Sequence, residues 1–571
     1  MEYTANNIID NFNRLRADRS ALSSKVERCR AFVNPGRCRT EEKEHLPASQ
    51  KKPGEGPLEI IINQLAGHEL IYSRGMSSNL FPPSSKWFSF KCRKIPALKD
   101  FLAEAAQAMY DLLYSSSNFS AEMNELIEDT ADAGTVCISC EADPERGVKF
   151  KTHDFSTFYV EESRPGRKDI VYRLCTMTAL QAVNFFNEAD DTLPQKIRDD
   201  GTNPDNGKSG RTCRIIHAVL PNRDRDFAED GTPRPGKRNK PYLSLYVDME
   251  SKTIIRRSGG YERCPYIVGN IDNPVDGVYS DSPMQRALRS ANLMNKVYCD
   301  LVDGTELAVK PSVIADISAY DRVLPEFFFE PGQVNYYDSR NGQANKPEFY
   351  VPPANLPLGF DFCQMLDRQC EIFFSTDLFT MITRLNQESG RQRTAYEIQQ
   401  LAAERNNMIL PLVARFLDEV VSPLLRLAFF TALDQGMFAD VPPEIVLLRQ
   451  EDVELQYYSP LALAAQRNRV TGTLSAVETL APIAQTMQSP EILDIFDFDK
   501  IARDIAESYG AYPDHLRSKV EIQRIRDQRA QAAQAAQAAQ QAADIAKSQN
   551  LTGPVDRTSL AGALVNGGGQ V

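Results

Sequence analysis

The sequence predicts an α+β protein, mainly helical. Three observations carry that prediction. The stretch 394–436 repeats apolar residues at helical spacing along its whole length. From Gly134 to about residue 270 the hydrophobic period changes from 3.6 to 2. Helical spacing then resumes at Pro283 and dominates the rest of the chain.

Residues 4–34 carry one helical pattern rich in arginine (Arg14, Arg16, Arg19, Arg28, Arg30), ending near Asn34-Pro35. Residues 36–57 are polar, charged and contain Pro and Gly, so they read as an exposed loop. A helix follows over about 58–80 and is stopped by Pro82-Pro83. Trp87, Phe88 and Phe90 then read as a short strand, with Trp87, the single tryptophan, as a core anchor. Residues 97–130 give two more helices. The segments TVCISCEAD, VKFKTH, STFYVEE and DIVYRLCTM read as strands, with turns at Pro144–Gly147 and Arg164–Gly166. A helix is predicted at 178–188, a polar loop at 189–212, and strands again over 213–270.

Pro283 stands where a first-turn proline belongs, and Ala287, Ala291, Met294, Tyr298 and Leu301 make the stripe of the helix it opens. Residues 311–358 are rich in proline and aromatics, including Phe327, Phe328, Phe329, Tyr336 and Tyr337. That segment is too aromatic for disorder and too short for its own core, so it is expected to complete itself against another copy. A helix at 359–375 and an Arg-bearing polar loop at 380–393 lead into the long helix 394–436. Thr394 and Glu397 have the form of a capping box, Gly436 is a plausible stop, and Pro411 and Pro423 predict two bends. Beyond it, VPPEIVLL and VELQYYSPLALAAQ predict a strand or two and another helix. IARDIAESYGAYPDHLRSK reads as a compact helical unit closed by Gly510. The Ala/Gln-rich stretch 521–549 favours helix, and the last twenty residues are expected to be disordered.

Composition narrows the function. A net charge of −12 argues against a protein that coats nucleic acid, though not against a channel that DNA crosses without being gripped. No apolar run approaches the roughly 20 residues that span a membrane, and the N-terminus lacks an apolar signal core, so neither membrane insertion nor export is expected. Eleven cysteines without framework spacing read as free thiols.

The chemical motifs fail one by one. Gly207-Lys208-Ser209 resembles the end of a phosphate loop, but Thr202 occupies the position of the required first glycine. Cys137 and Cys140 lack a second pair and fall on opposite faces of a strand, and Cys363 and Cys370 read as core. Asp494, Asp497 and Asp499 look like helix-capping acids, with Asp499 best placed. The five histidines are scattered and no GxSxG occurs. No catalytic residue, metal site or cofactor is therefore expected, and the protein reads as a non-enzyme.

Five segments, in order, resemble the portal (head-to-tail connector) proteins of short-tailed bacteriophages: GMSSNLFPPSSKWFSF (75–90), GVYSDSPMQRAL (277–288), RTAYEIQQLAAERNNMILPLVARFLDEVVSPLL (393–425), YSPLALAAQ (458–466) and DIFDFDKIARDIAESYGAYPDHLRS (494–518). The resemblance covers about residues 4–530. It implies a virion protein, assembled in the host cytoplasm, that forms a homo-oligomeric ring, usually of twelve subunits, at one capsid vertex. It also implies an axial channel for double-stranded DNA, and contacts with capsid protein, packaging terminase and tail adaptor proteins. Carried over, it divides the chain into an N-terminal α+β wing (1–282), a first stem helix (283–310), a clip (311–358) and a second stem helix (359–379). A tunnel loop (380–393), a long bent wing helix (394–436), a helical wing or crown region (437–520) and the Ala/Gln-rich tail (521–571) complete it. Candidate DNA-channel residues are Arg384, Arg391 and Arg393 in the loop and Arg286, Arg289, Lys296 and Lys310 on the first stem helix. Candidate clip-interface residues are Phe327, Phe328, Phe329, Tyr336 and Tyr337. The competing readings are a tail or internal virion protein that forms no ring, and a packaging enzyme, which the failed phosphate loop disfavours.

Overall fold

The fold was analysed in a computed structural model of the full chain. It describes residues 3–37, 60–83, 87–92, 94–186, 192–202, 209–226, 234, 236, 239–274, 277–316, 331–337, 356–380, 404–405, 408–409, 411, 413–439, 441–447, 452–457, 472–480, 482, 495–508 and 519–548. Two units are separable, residues 1–465 and 466–571.

The N-terminal pattern predicted as one helix is two, α1 (Ala5–Asp18) and α2 (Ser20–Val33), joined at Arg19. The break has a physical cause. Arg19 is buried, its guanidinium carbon 4.3 Å from the Phe155 ring centre and 3.9 Å from that of Tyr159, which holds the joint against the sheet. Helix α3 (Gln64–Leu80) leads to strand β1 (Phe88–Lys91), then α4 (Lys99–Asp111) and α5 (Phe119–Asp132). Trp87 is fully buried, as expected, and its Nε1 donates to the Tyr114 hydroxyl at 2.8 Å.

The predicted change of period is observed. Strands β2 (Thr135–Asp143), β3 (Gly147–His153), β4 (Phe158–Glu161) and β5 (Ile170–Thr178) come first, then helix α6 (Ala179–Phe185). The polar stretch expected to be all loop contains a second short helix, α7 (Gln195–Thr202). Its one buried apolar side chain, Ile197, is too weak a periodic signal to read. Strands β6 (Thr212–Pro221), β7 (Tyr242–Asp248), β8 (Thr253–Tyr261) and β9 (Tyr266–Asn270) follow. They form a five-stranded antiparallel sheet, β4-β5-β6-β7-β8, and a three-stranded one, β3-β2-β9. Alternation sorts β6 between two cores: Ile216, Ala218 and Leu220 pack with Ile8, Phe12 and Leu15 of α1, whereas Val219 packs with Tyr266 and Val268 of β9. Cys137 and Cys140 likewise point into different cores, and burial pushes both thiols up.

The largest core gathers α2–α5 around helices α8 (Pro283–Val309) and α9 (Leu356–Phe374). Between those two lie the short parallel pair β10 (Val313–Asp316) and β11 (Val334–Tyr337). Residues 394–403 of the long predicted helix lie outside the described residues, as does much of 406–412. Where a bend at Pro423 is expected, a π-turn, Leu417–Val421, stands directly before α10 (Ser422–Asp434). A proline removes a backbone donor, and a widened turn accommodates the loss. Gly436 ends the helix with φ +68°, as its position predicts. The segment VPPEIVLL, expected as strand, contains a 3₁₀ turn at Pro443–Leu447. Strand β12 (Glu454–Tyr457) pairs with β1, Phe88 opposite Tyr457.

In the second unit, α11 (Phe498–Ser508) is capped by Asp497, whose carboxylate accepts from the Lys500 amide at 3.0 Å. Asp499, the acid expected to cap, instead lies inside the first turn and grips Arg526 through two 2.6 Å bonds. Helix α12 (Lys519–Ser548) is one continuous run through the Ala/Gln repeats.

Candidate functional site: the α8–α9 pair

Helix α8 begins where its sequence says it should. Ser282 accepts from the Gln285 amide at 3.0 Å and donates to the Asp132 carbonyl at 2.9 Å, so the cap also anchors the helix to α5. Met284, Ala287, Leu288, Ala291, Met294 and Leu301 turn inward. Helix α9 answers with Cys363, Leu366, Cys370 and Phe374, and Ser290 donates to Gln369 at 3.1 Å across the pair. Asn295 is buried and accepts from the Ile61 amide at 3.0 Å, which joins α8 to the start of α3.

The three basic candidates on α8, Arg286, Arg289 and Lys296, and Lys310 at its C-terminal cap are all exposed. Arg286, Arg289 and Lys296 share one side of the helix, with exposed Leu293 among them. Arg286 is ion-paired with Asp272. Exposed Asp300, Asp303 and Glu306 follow, so the free surface of α8 is basic in its first half and acidic in its second. Lys310 lies roughly 21 Å beyond Lys296 at about 1.5 Å per residue. There its carbonyl accepts from the Gly332 amide at 2.8 Å, beside a cavity of about 500 Å³ lined by Val302, Val309 and Phe360. Tyr336 and Tyr337 are half-buried on β11, opposite Ala315 and Asp316. Arg384, Arg391, Arg393, Phe327, Phe328 and Phe329 lie outside the described residues, as do Gly207 and Lys208.

The feature that the sequence reading missed is a second apolar face on α9. Leu358, Phe362, Met365, Ile372 and Phe373 project outward, with Leu358 and Ile372 each 64% exposed. Leu358, Phe362, Met365 and Ile372, spaced four, three and seven, form a helical stripe of their own with Phe373 beside it, about a third of a turn from the buried one. Counting only one stripe per helix hid it.

The fold also brings together groups of metal-ligand chemistry. His68 Nε2 is 2.8 Å from Asp367 Oδ1, and Glu371 lies one helical turn beyond Asp367. The other buried histidines are committed to packing. His217 bonds Tyr266 and Ser244, and His153 bonds Ser139 and meets Arg173. Burial, then the Arg173 charge, holds both well below the usual imidazole range, hence neutral. Among the described residues no helix is long and apolar enough to cross a membrane.

Among the described residues α9 is apolar on two faces and covered on one, and an uncovered apolar face of that kind marks interaction surfaces in proteins generally. The sequence model of the bacteriophage head to tail connecting protein family matches residues 5–516, and the chain belongs to that family. It is 25% identical over 529 residues to the portal protein of Salmonella phage epsilon15, covering 90% of this chain and 89% of that one. It is 24% identical over 486 residues to the probable portal protein of Bordetella phage BPP-1, covering 81% and 80%. Among solved structures, the virion of a native gene transfer agent particle matches at 13% identity and TM-score 0.30, over 73% of this chain and 86% of that one. The neck of an empty gene transfer agent particle, computed with C6 symmetry, matches at 12% and 0.32, over 74% and 91%.

Proposed function

We propose that the chain is the subunit of a phage portal: a ring at one capsid vertex through which the genome is packaged and ejected, and to which the tail attaches. Membership of the head-to-tail connecting family supports the vertex role, and the uncovered apolar face of α9 is the observation that carries the ring. In a head-to-tail ring each subunit offers two different surfaces to its neighbours. Here the α9 stripe meets the next subunit, α8 and α9 act as the stem, 311–358 as the clip, and the long helix joins a tunnel loop to the wing. Arg286, Arg289, Lys296 and Lys310, with Arg384, Arg391 and Arg393 of the loop, touch passing DNA weakly and without sequence preference. Acidic surface elsewhere keeps the grip loose, since every phosphate neutralised adds salt-dependent affinity.

Two variants test the ring and the channel separately. Phe362→Asp with Ile372→Asp puts charges on the stripe; negative-stain microscopy is expected to show rings for the parent and dispersed chains for the variant. Rings in both would reject α9 as the interface. Replacing Arg384, Arg391 and Arg393 by Gln is expected to keep rings but impair packaging or DNA retention, and normal packaging would remove the loop from the channel.

A further inference from the structure

We infer that His68, Asp367 and Glu371 form a binding site for a borderline divalent cation of the zinc or manganese kind, fastening α3 to α9. Each residue offers one donor atom, and the three atoms lie within 4.8 Å of one another. The His68 side chain is 10% exposed on the inner side of α3, with its ring against the buried Phe374 ring at a centroid distance of 6.3 Å. That wall restricts how the ring can turn, so Nε2 stays directed at α9. Asp367 and Glu371 are four residues apart on one helix, hence on one side of it.

The donor set decides the class of cation. One nitrogen and two carboxylate oxygens suit zinc or manganese, whereas calcium and magnesium take oxygen shells. Zinc sits about 2.0–2.2 Å from such donors, which places neighbouring donors roughly 3–3.6 Å apart. The His68–Asp367 separation of 2.8 Å is close to that edge, so the pair needs only a small opening to admit an ion. Two carboxylates one turn apart repel when both are ionised, and a divalent charge between them converts the repulsion to attraction. Three protein donors leave room for water on the ion. The site is structural in this reading: it ties α3, within the main core, to the helix that carries the uncovered apolar stripe, and it holds whether or not that stripe builds a ring.

The test uses the full chain stripped with a chelator and titrated with Zn²⁺, Mn²⁺ or Mg²⁺. The expected result is one Zn²⁺ per chain, Mn²⁺ at the same site, Mg²⁺ much weaker, and a Tm that rises with zinc. X-ray absorption at the zinc edge should report nitrogen and oxygen neighbours only. Asp367→Asn, Glu371→Gln and His68→Gln should each weaken zinc binding by roughly tenfold or more, on the scale of lost metal-site contacts. Glu371 is half-exposed, so Glu371→Gln keeps its fold, with unchanged circular dichroism, and serves if His68→Gln does not. Sulfur neighbours would overturn the inference by assigning the metal to cysteines. Unaltered binding in Glu371→Gln and Asp367→Asn, or no zinc bound by the parent chain, would leave a simple His68–Asp367 hydrogen bond and reject the site.

Discussion

Arg30→Met tests the charge cluster beneath the N-terminal helices. Arg30 is fully buried, and its guanidinium reaches Asp132 at 2.8 Å, Asp154 at 2.9 Å and Asp129 at 3.5 Å. Methionine keeps most of the volume and removes the charge. Breaking a buried pair by deleting one partner costs about 3–5 kcal/mol, because the remaining carboxylates are stranded. That cost depends on their ionisation. Burial, opposed by the Arg30 charge, already pushes the Asp132 carboxyl up to about 6, and burial with the Asp132 charge raises Asp129 well above the usual range. A raised carboxyl pKa means that the folded state binds more protons than the unfolded one. Its stability contribution is complete below the unfolded pKa near 3.8 and is lost as pH rises through the folded value. Without the guanidinium the folded value climbs further, so the loss extends to higher pH. The expected destabilisation is therefore about 3–5 kcal/mol at pH 8 and only about 1–3 kcal/mol at pH 5, where protonated carboxyls leave unsatisfied dipoles rather than charges. Urea unfolding followed by the fluorescence of Trp87, the only tryptophan, measures both. Equal losses at the two pH values, or less than about 1 kcal/mol at pH 8, would refute the assignment of Arg30 as the compensating charge.

Three further outcomes follow from the same core. Burial, then the Glu128 charge, pushes the Glu69 carboxyl up to about 7, so its contribution is lost between roughly pH 4 and 7; Glu69→Gln should be neutral at pH 4 and stabilising by about 1–2 kcal/mol at pH 8, read from urea midpoints, and an effect independent of pH would exclude that titration. Gly134 has φ +77°, and a Cβ there would sit 2.8 Å from the backbone of Ser280 and Asp281, so Gly134→Ala should cost more than about 2 kcal/mol and displace the start of α8. An unchanged Tm would count against that packing. Trp87→Ala opens a cavity among Phe81, Phe119 and Tyr457 and should cost about 3–5 kcal/mol by thermal unfolding, a smaller loss implying that the pocket collapses.

Much of the sheet region was legible because short β-branched and aromatic runs end at turn residues, even though a strand buried on both faces, such as β6, reads as a nearly continuous apolar run rather than an alternating one. Trp87 and the four cysteines of the main motifs were also placed correctly, since size and apolar neighbours point one way. Charged residues were not legible. Arg19 continues the Ile8, Phe12, Leu15 stripe and Arg30 stands between Val26 and Val33, yet a charged side chain at such a position can still turn out to water, as Arg14 and Arg16 do on the other sides of α1. Only three-dimensional partners decide which guanidinium can leave water. The cap falls on Asp497 rather than Asp499 for a smaller reason: the helix starts two residues earlier than a cap at Asp499 would give. His68 and Asp367 stand 299 positions apart, and no local pattern could pair them. The outward α9 stripe was present in the sequence but masked by the stronger inward one.

Helix α12 carries a different kind of consequence. From Arg526 to Gln541 every position is exposed, so beyond the Arg526–Asp499 clasp the helix owes its form to alanine propensity rather than to packing. A helix with no packed face has no register to keep. Each added or lost AAQ triplet shifts the end by about 4.5 Å and turns it by about 300°. The number of triplets is thus fixed by no packed side chain over the described positions 526–541, which makes this stretch a spacer whose length is set by its repeat count.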